Sequence, residues 1–116
     1  MFDFENLAVY KKAKNYNKSI TRFLLTHKID RSTQDQLRRA SLSIMLNIAE
    51  GTGRATNPDK RRFYIIARGS AFECVSIFDY LLDVQVINKM QYDYFYSVLE
   101  EISKMLYAMI KNLSKR

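Results

Sequence analysis

Chain breakers are scarce in this sequence. Its 116 residues hold three glycines, Gly51, Gly53 and Gly69, and one proline, Pro58. A sandwich or barrel of this length would need a turn about every 8–12 residues, so a few long elements are the arrangement that so few turn residues permit. Four segments carry apolar residues at helical spacing. The first runs from about Glu5 to Thr26, with Val9, Ala13, Tyr16, Ile20, Phe23 and Leu24 on one face. The second runs from about Ser32 to Gly51. The third extends from Asn57 to about Val84, with a stripe of Phe63, Ile66, Ala67, Ser70, Cys74, Ile77, Phe78 and Leu81. The last follows Asn88, with Phe95, Val98, Ile102, Met105, Met109 and Leu113 three or four apart.

The connections are short and carry start and stop signals. Ser32 is expected to cap the second helix, and Gly51 or Gly53 to end it in a left-handed conformation. Asn57 is expected to cap the third, with Pro58 at its first position, where a missing N–H costs nothing. Helices of this length joined by short loops must reverse at each turn. The expected fold is therefore all-α, an antiparallel up-and-down four-helix bundle formed by residues 1–116 as one domain.

Apolar residues make up 47% of the chain, enough for one packed core. No apolar run approaches the roughly 18 residues that cross a bilayer, and the opening MFDFEN carries acids where a secretory leader would carry bases. A cytoplasmic protein with no membrane association is expected. Cys74 is the only cysteine and His27 the only histidine, which rules out an internal disulfide, a thiolate cluster or a histidine metal site within one chain. The net charge is +7, concentrated in the first half: residues 31–68 hold eight bases against three acids, and residues 69–116 five against six. An excess of this kind points to an anionic partner, nucleic acid ahead of membrane.

Helical projection places Lys11, Lys14, Lys18 and Arg22 within about 80° of arc opposite the apolar stripe of the first helix. Over 11 residues such a rail extends roughly 16 Å, long enough to meet several phosphates. Lys60 and Arg61, with Arg62 and Arg68 nearby and Tyr64 as a stacking group, form a second candidate nucleic-acid cluster. The same cations would also serve simply to solvate a bundle surface. On the second helix Leu37, Ala40, Ile44 and Ile48 make one apolar side, and Leu42, Leu46 and Ala49 another. A helix apolar on two sides needs two partners. Leu42 and Leu46, together with Ile65 and Phe72 on the outer side of the third helix, are therefore candidate contacts with another copy of the chain, or else the border of a wide core.

No catalytic group emerges. His27 is expected to pack or cap near the end of the first helix. Cys74 falls on a core stripe, and Glu100 and Glu101 point about 100° apart. Gly51–Thr52–Gly53–Arg54 lacks the spacing and the lysine of a phosphate-binding loop. The polar residues Arg39, Asn47, Glu50 and Arg54 on the second helix, with Arg62 and Glu73 on the third, border apolar stripes. They are expected to form an interhelical polar network, with a ligand site as the alternative. A half-buried Glu73 would need one of these arginines as its partner.

The run Gln36–Leu37–Arg38–Arg39–Ala40, then Ser43–Ile44, Asn47–Ile48–Ala49–Glu50–Gly51 and Gly53–Arg54, resembles the 23S ribosomal RNA intervening-sequence protein family. Arg62–Phe63, Ala67, Gly69–Ser70 and Glu73 continue the resemblance, as does Phe4–Glu5–Asn6–Leu7–Ala8–Val9–Tyr10. The resemblance implies a small four-helix bundle, ring-like homopentamers among relatives, no catalytic residues and no cofactor. It also implies kinship with accessory variability determinant proteins of diversity-generating retroelements, which are basic bundles that bind nucleic acid and a reverse transcriptase. The chain departs from the family pattern at Met45–Leu46, where a proline and a small polar residue are usual, and at Val84–Gln85–Val86–Ile87, where a Leu-Gly-Tyr-like turn is usual. The combined expectation is a non-enzymatic homo-oligomeric scaffold that binds RNA or DNA through basic helix faces. The alternative is an adaptor that binds a protein partner and no nucleic acid.

Overall fold

A computed structural model describes residues 1–114. A short 3-10 turn, Asp3–Asn6, precedes four helices: α1 (Ala8–Thr26), α2 (Arg31–Thr52), α3 (Asn57–Asp83) and α4 (Lys89–Leu113). They form the expected antiparallel bundle, 47 Å long and 26 by 22 Å across. Helices adjacent in sequence pack side by side, α2 and α3 most extensively, and α4 closes back on α1 along the thinnest seam. Consequently α1 lies diagonally across from α3, and their outer faces look in opposite directions.

Several boundaries differ from the expected ones for local reasons. Leu7, in an extended conformation, separates the 3-10 turn from α1, so the first helix begins at Ala8 and not Glu5. Asp30 caps α2 in place of Ser32, its carboxylate accepting from the Thr33 N–H at 3.1 Å, and hydrogen bonding from Thr33, its hydroxyl first and its N–H second, holds this carboxyl below its usual range. Thr56 caps α3, one residue before Asn57, so Pro58 falls at the second helical position. Neither Gly51 nor Gly53 is left-handed. The left-handed residue is Gln85, at φ 64°. With it the end of α3 forms a Schellman turn, in which Val86 N–H donates to Leu81 O and Gln85 N–H to Leu82 O. Ile87 then tucks into the core, and Asn88 opens α4 with a reciprocal capping box to Gln91.

The apolar stripe expected on α1 is buried in full. Those of α3 and α4 are rotated relative to expectation. On α3, Tyr64 and Ala71 are buried while Ile66 faces outward; on α4, Leu99 and Leu106 are buried while Val98, Met105 and Met109 only flank the core. Both helices contact two neighbours, so their apolar arcs are wide and the centre of each arc is set by packing. Towards one end Phe78 of α3 stacks on Phe95 of α4 with centroids 4.4 Å apart, and Phe23 of α1 meets both edge-on. Towards the middle a polar layer crosses the core. The Tyr16 hydroxyl bonds Ser41 Oγ at 3.0 Å, Ser41 Oγ approaches Cys74 Sγ at 3.6 Å, and Asn17 donates to Ser41 O at 2.8 Å.

Candidate nucleic-acid interface

The rail is present. Lys11, Lys14, Lys18 and Arg22 are exposed on the outer face of α1, and none forms an ion pair among the described residues. Lys12, one position off the rail, is bound to Glu101 of α4 at 3.2 Å. The difference is geometric: Lys12 leans over the α1–α4 seam, where an acid from the neighbouring helix reaches it, whereas Lys11, Lys14 and Lys18 point away from both neighbours and Arg22 borders the end of the seam, where no acid lines the surface.

The second basic cluster stands apart from the rail, on the diagonally opposite helix. Lys60 is half-buried, and its ammonium donates to Thr52 O at 2.8 Å, satisfying a carbonyl at the end of α2. Arg61 is exposed and donates from Nε to Ser114 Oγ. Arg68 reaches Ser103 O on α4 and lies over the rings of Phe72 and Tyr107. Tyr64 is buried with its hydroxyl on Thr52 Oγ1 at 2.8 Å, so it offers no face to a base.

The six residues expected to form one polar network divide into separate groups. Asn47 donates to Ser43 O and Oγ, and Ser70 donates to Ser43 Oγ at 2.8 Å, a short hydroxyl ladder from α2 to α3. Arg54, just beyond the end of α2, pairs with Glu50 of that helix and rests on the Phe63 ring of α3, which Arg62 also covers. Arg39 and Glu73 line one polar groove with Ser43 and Ser70 but form no ion pair among the described residues. Glu73 is exposed, so water meets the need for which a cationic partner was expected. The α2 polar strip does face α3, as projection placed it.

Leu42 and Leu46 project from α2 directly away from the core, Leu46 with 57% of its surface exposed. Ile65 and Phe72 project from α3 towards α4, Phe72 with 56% exposed, and border a groove with Tyr107 and Ile110. The two apolar faces lie at different places on the bundle.

His27 ends α1. Its ring stacks on Phe23 at 4.2 Å, Nδ1 lies 3.1 Å from Phe23 O, and Nε2 lies 2.9 Å from Gln91 Nε2. Gln91 Oε1 accepts from the Asn88 N–H in the capping box, so its amide group must donate to His27 Nε2, which leaves the imidazole proton on Nδ1 for the Phe23 carbonyl. The packing role expected of His27 is met, and the ring orientation is fixed from both sides. Burial raises Cys74, and raises Tyr16 well above the ordinary phenol value, chiefly by desolvation. Both belong to the core layer and face no cleft.

Sequence reading missed Asn17, Ser41 and the Thr52–Tyr64 pair. Each is a polar residue with ordinary helical spacing whose partner lies on another helix, and only the i to i+4 bonds, such as Asn17 to Ala13 O, are local.

Comparison with known proteins agrees with this architecture. A search of curated proteins finds no match. A solved structure from Bacteroides thetaiotaomicron, described as a protein of unknown function from the S23 ribosomal protein family, is similar at 25% identity and a TM-score of 0.84, over 90% of this chain and 99% of that one. No helix among the described residues is long and apolar enough to cross a membrane. The family model of the 23S rRNA-intervening sequence protein matches residues 5–108. That span takes in all of α1, α2 and α3 and most of α4, and the chain belongs to the 23S rRNA-intervening sequence protein family.

Proposed function

We propose that the protein is a non-enzymatic, cytoplasmic scaffold that binds RNA or DNA through phosphate contacts, with the rail of α1 as its principal surface. The observation that carries this reading is the set of four exposed cations, Lys11, Lys14, Lys18 and Arg22, without acidic partners among the described residues, beside Lys12, the α1 lysine that has one. Unpaired cations in a row retain their full field and release counterions when phosphate replaces them. Lys60 and Arg61 lie on another face and contribute, on this reading, as a secondary contact. If all four rail residues meet a single strand, the logarithm of affinity falls with the logarithm of salt concentration with a slope of about −3, from roughly −0.7 per phosphate. Reversing the four to glutamate abolishes that slope and the binding. Unchanged affinity in the reversed protein refutes the rail.

Self-association is the second part of the proposal. The Leu42–Leu46 ridge and the Ile65–Phe72 groove are apolar, exposed and differently placed, so contact of one copy's ridge with the next copy's groove is heterologous. Such a contact closes into a ring when the rotation between copies divides the circle, and a pentamer is one such closure. Repetition of a modest rail around a ring raises avidity without any new contact. Leu46→Glu or Phe72→Glu is expected to give monomers by light-scattering size exclusion, and a wild-type protein that is monomeric at micromolar concentration overturns this part. The adaptor reading draws on the same apolar faces. Tight binding of a protein partner at high salt, with none of RNA, would favour it.

A further inference from the structure

We infer that the open end of the α1–α4 seam is a pocket for an unpaired nucleobase, so that the ligand of the rail is a single strand and not a duplex. The inference rests on the reading of Lys11, Lys14, Lys18 and Arg22 as a phosphate track, and adds to it a cleft of about 520 Å3 at the C-terminal end of that track. Arg22 belongs to both, as the last cation of the rail and a lining residue of the cleft. The floor is the buried pair Phe23 and Phe95, whose rings lie 5.4 Å apart. His27, Met90 and Tyr94 form the walls. Tyr94 is 54% exposed and braced edge-on against Phe95 at 5.2 Å, and Met90 is 81% exposed. The imidazole is held in place by Phe23 O and Gln91, so one aromatic wall is already positioned.

The chemistry of this lining suits a base attached to a phosphate chain. Aromatic faces and a polarizable thioether take a heterocycle by stacking, which is tolerant of sequence because every base has a π face. Ser19 and Tyr94 bring hydroxyls to the rim, 3.4 Å apart and so only weakly bonded to each other, where a polar base edge can compete, whereas the Thr26 hydroxyl is already donated to the Arg22 and Phe23 carbonyls. No carboxylate lines the cleft, so nothing repels an anion that arrives along the rail. The polar groove between α2 and α3 contains Asp35 and Glu73, and a groove between α3 and α4 contains Glu100. In the groove bordered by Ile65 and Phe72, Arg68 already covers the aromatic rings a base would need. None of these three is lined by α1, so none adjoins the rail. Bases in a duplex are stacked on their neighbours and out of reach of a cleft between helices; a base splayed from a single strand is not.

Fluorescence anisotropy separates this inference from the reading beneath it. The probes are labelled oligouridylate and oligothymidylate of about 12 nucleotides, an abasic deoxy strand of the same length and a duplex of the same length. The wild type is expected to bind the base-bearing strands about tenfold more tightly than the abasic strand, and Tyr94→Ala to remove that advantage while leaving abasic binding unchanged. Tyr94→Phe keeps the ring and stays within about twofold of wild type on the base-bearing strands. Met90→Glu, at a side chain mostly in water, puts a carboxylate at the mouth without touching the core and weakens binding of the base-bearing strands. Equal affinity for base-bearing and abasic strands, or no response to Tyr94→Ala in a protein with wild-type circular dichroism, overturns the pocket while the rail stands. Failure of every strand to bind overturns both.

Discussion

Gly51→Ala and Gly69→Ala make the same chemical change inside two helices, and the structure gives them opposite signs. Alanine exceeds glycine in helix propensity by about 1 kcal/mol. At Gly69, in the middle of α3, an added Cβ meets nothing within 4 Å, so that gain is kept whole. The thermal midpoint should rise by roughly 4 °C in a domain of this size. At Gly51 the same Cβ would lie 2.9 Å from Tyr64 Cε1, 3.0 Å from Phe63 Cβ and 3.1 Å from Lys60 O. None of these yields easily. Tyr64 is buried and tied through its hydroxyl to Thr52, and the Lys60 carbonyl belongs to the α3 backbone. Overpacking of this kind costs about 1–3 kcal/mol, and Gly51, next to the last residue of its helix, gains little propensity to offset it. Gly51→Ala should therefore lose about 1–2 kcal/mol, and the two variants should differ by about 2–3 kcal/mol in urea unfolding followed by circular dichroism. Equal shifts of one sign would show that close approach of α2 to α3 is not why a glycine stands at position 51.

Three further outcomes follow from local geometry. Gln85→Gly relieves the left-handed strain at φ 64° and is expected to raise stability by about 1 kcal/mol, read as a higher urea midpoint. Asn88→Ala removes the reciprocal cap of α4 and should cost about 1 kcal/mol in the same assay, while Asn88→Asp should restore most of it. The pH dependence lies on the alkaline side. Tyr16 and Cys74 are held neutral by burial with raised folded values, so their contribution is complete below the ordinary thiol value of about 8.5 and is lost as pH rises through the raised values. The urea midpoint should stay flat near pH 8 and fall above about pH 9, less steeply in Cys74→Ala.

The features legible in the sequence are those that depend on one helix alone. Exposure of the α1 rail needed only the 100° step between residues, because four cations opposite an apolar stripe cannot all turn inward. The outward Leu42 and Leu46 followed from the same projection. The hydrogen bond of Lys60 was not legible, for the opposite reason. Its partner is a carbonyl at the end of α2, brought within 2.8 Å by the turn between α2 and α3, and nothing in the residues around it reports that approach. The expected network of Arg39, Asn47, Glu50, Arg54, Arg62 and Glu73 combined polar residues spread along the facing sides of two helices. Glu73 and Arg62 prove to lie on the outer slope of α3, where water is a sufficient partner.

The sequence by itself determined that this chain makes four long helices with a basic track on the first, because helical periodicity, few breakers and short connections leave little else to build. The tertiary structure decided which residues close the ends of those helices, why Gly51 is a glycine, and that a cleft with two aromatic walls opens beside Arg22. The glycine and the cleft rest on distances between residues on different helices, set when the apolar arcs of several helices are satisfied together, whereas the caps are local choices among polar residues that the sequence offers side by side.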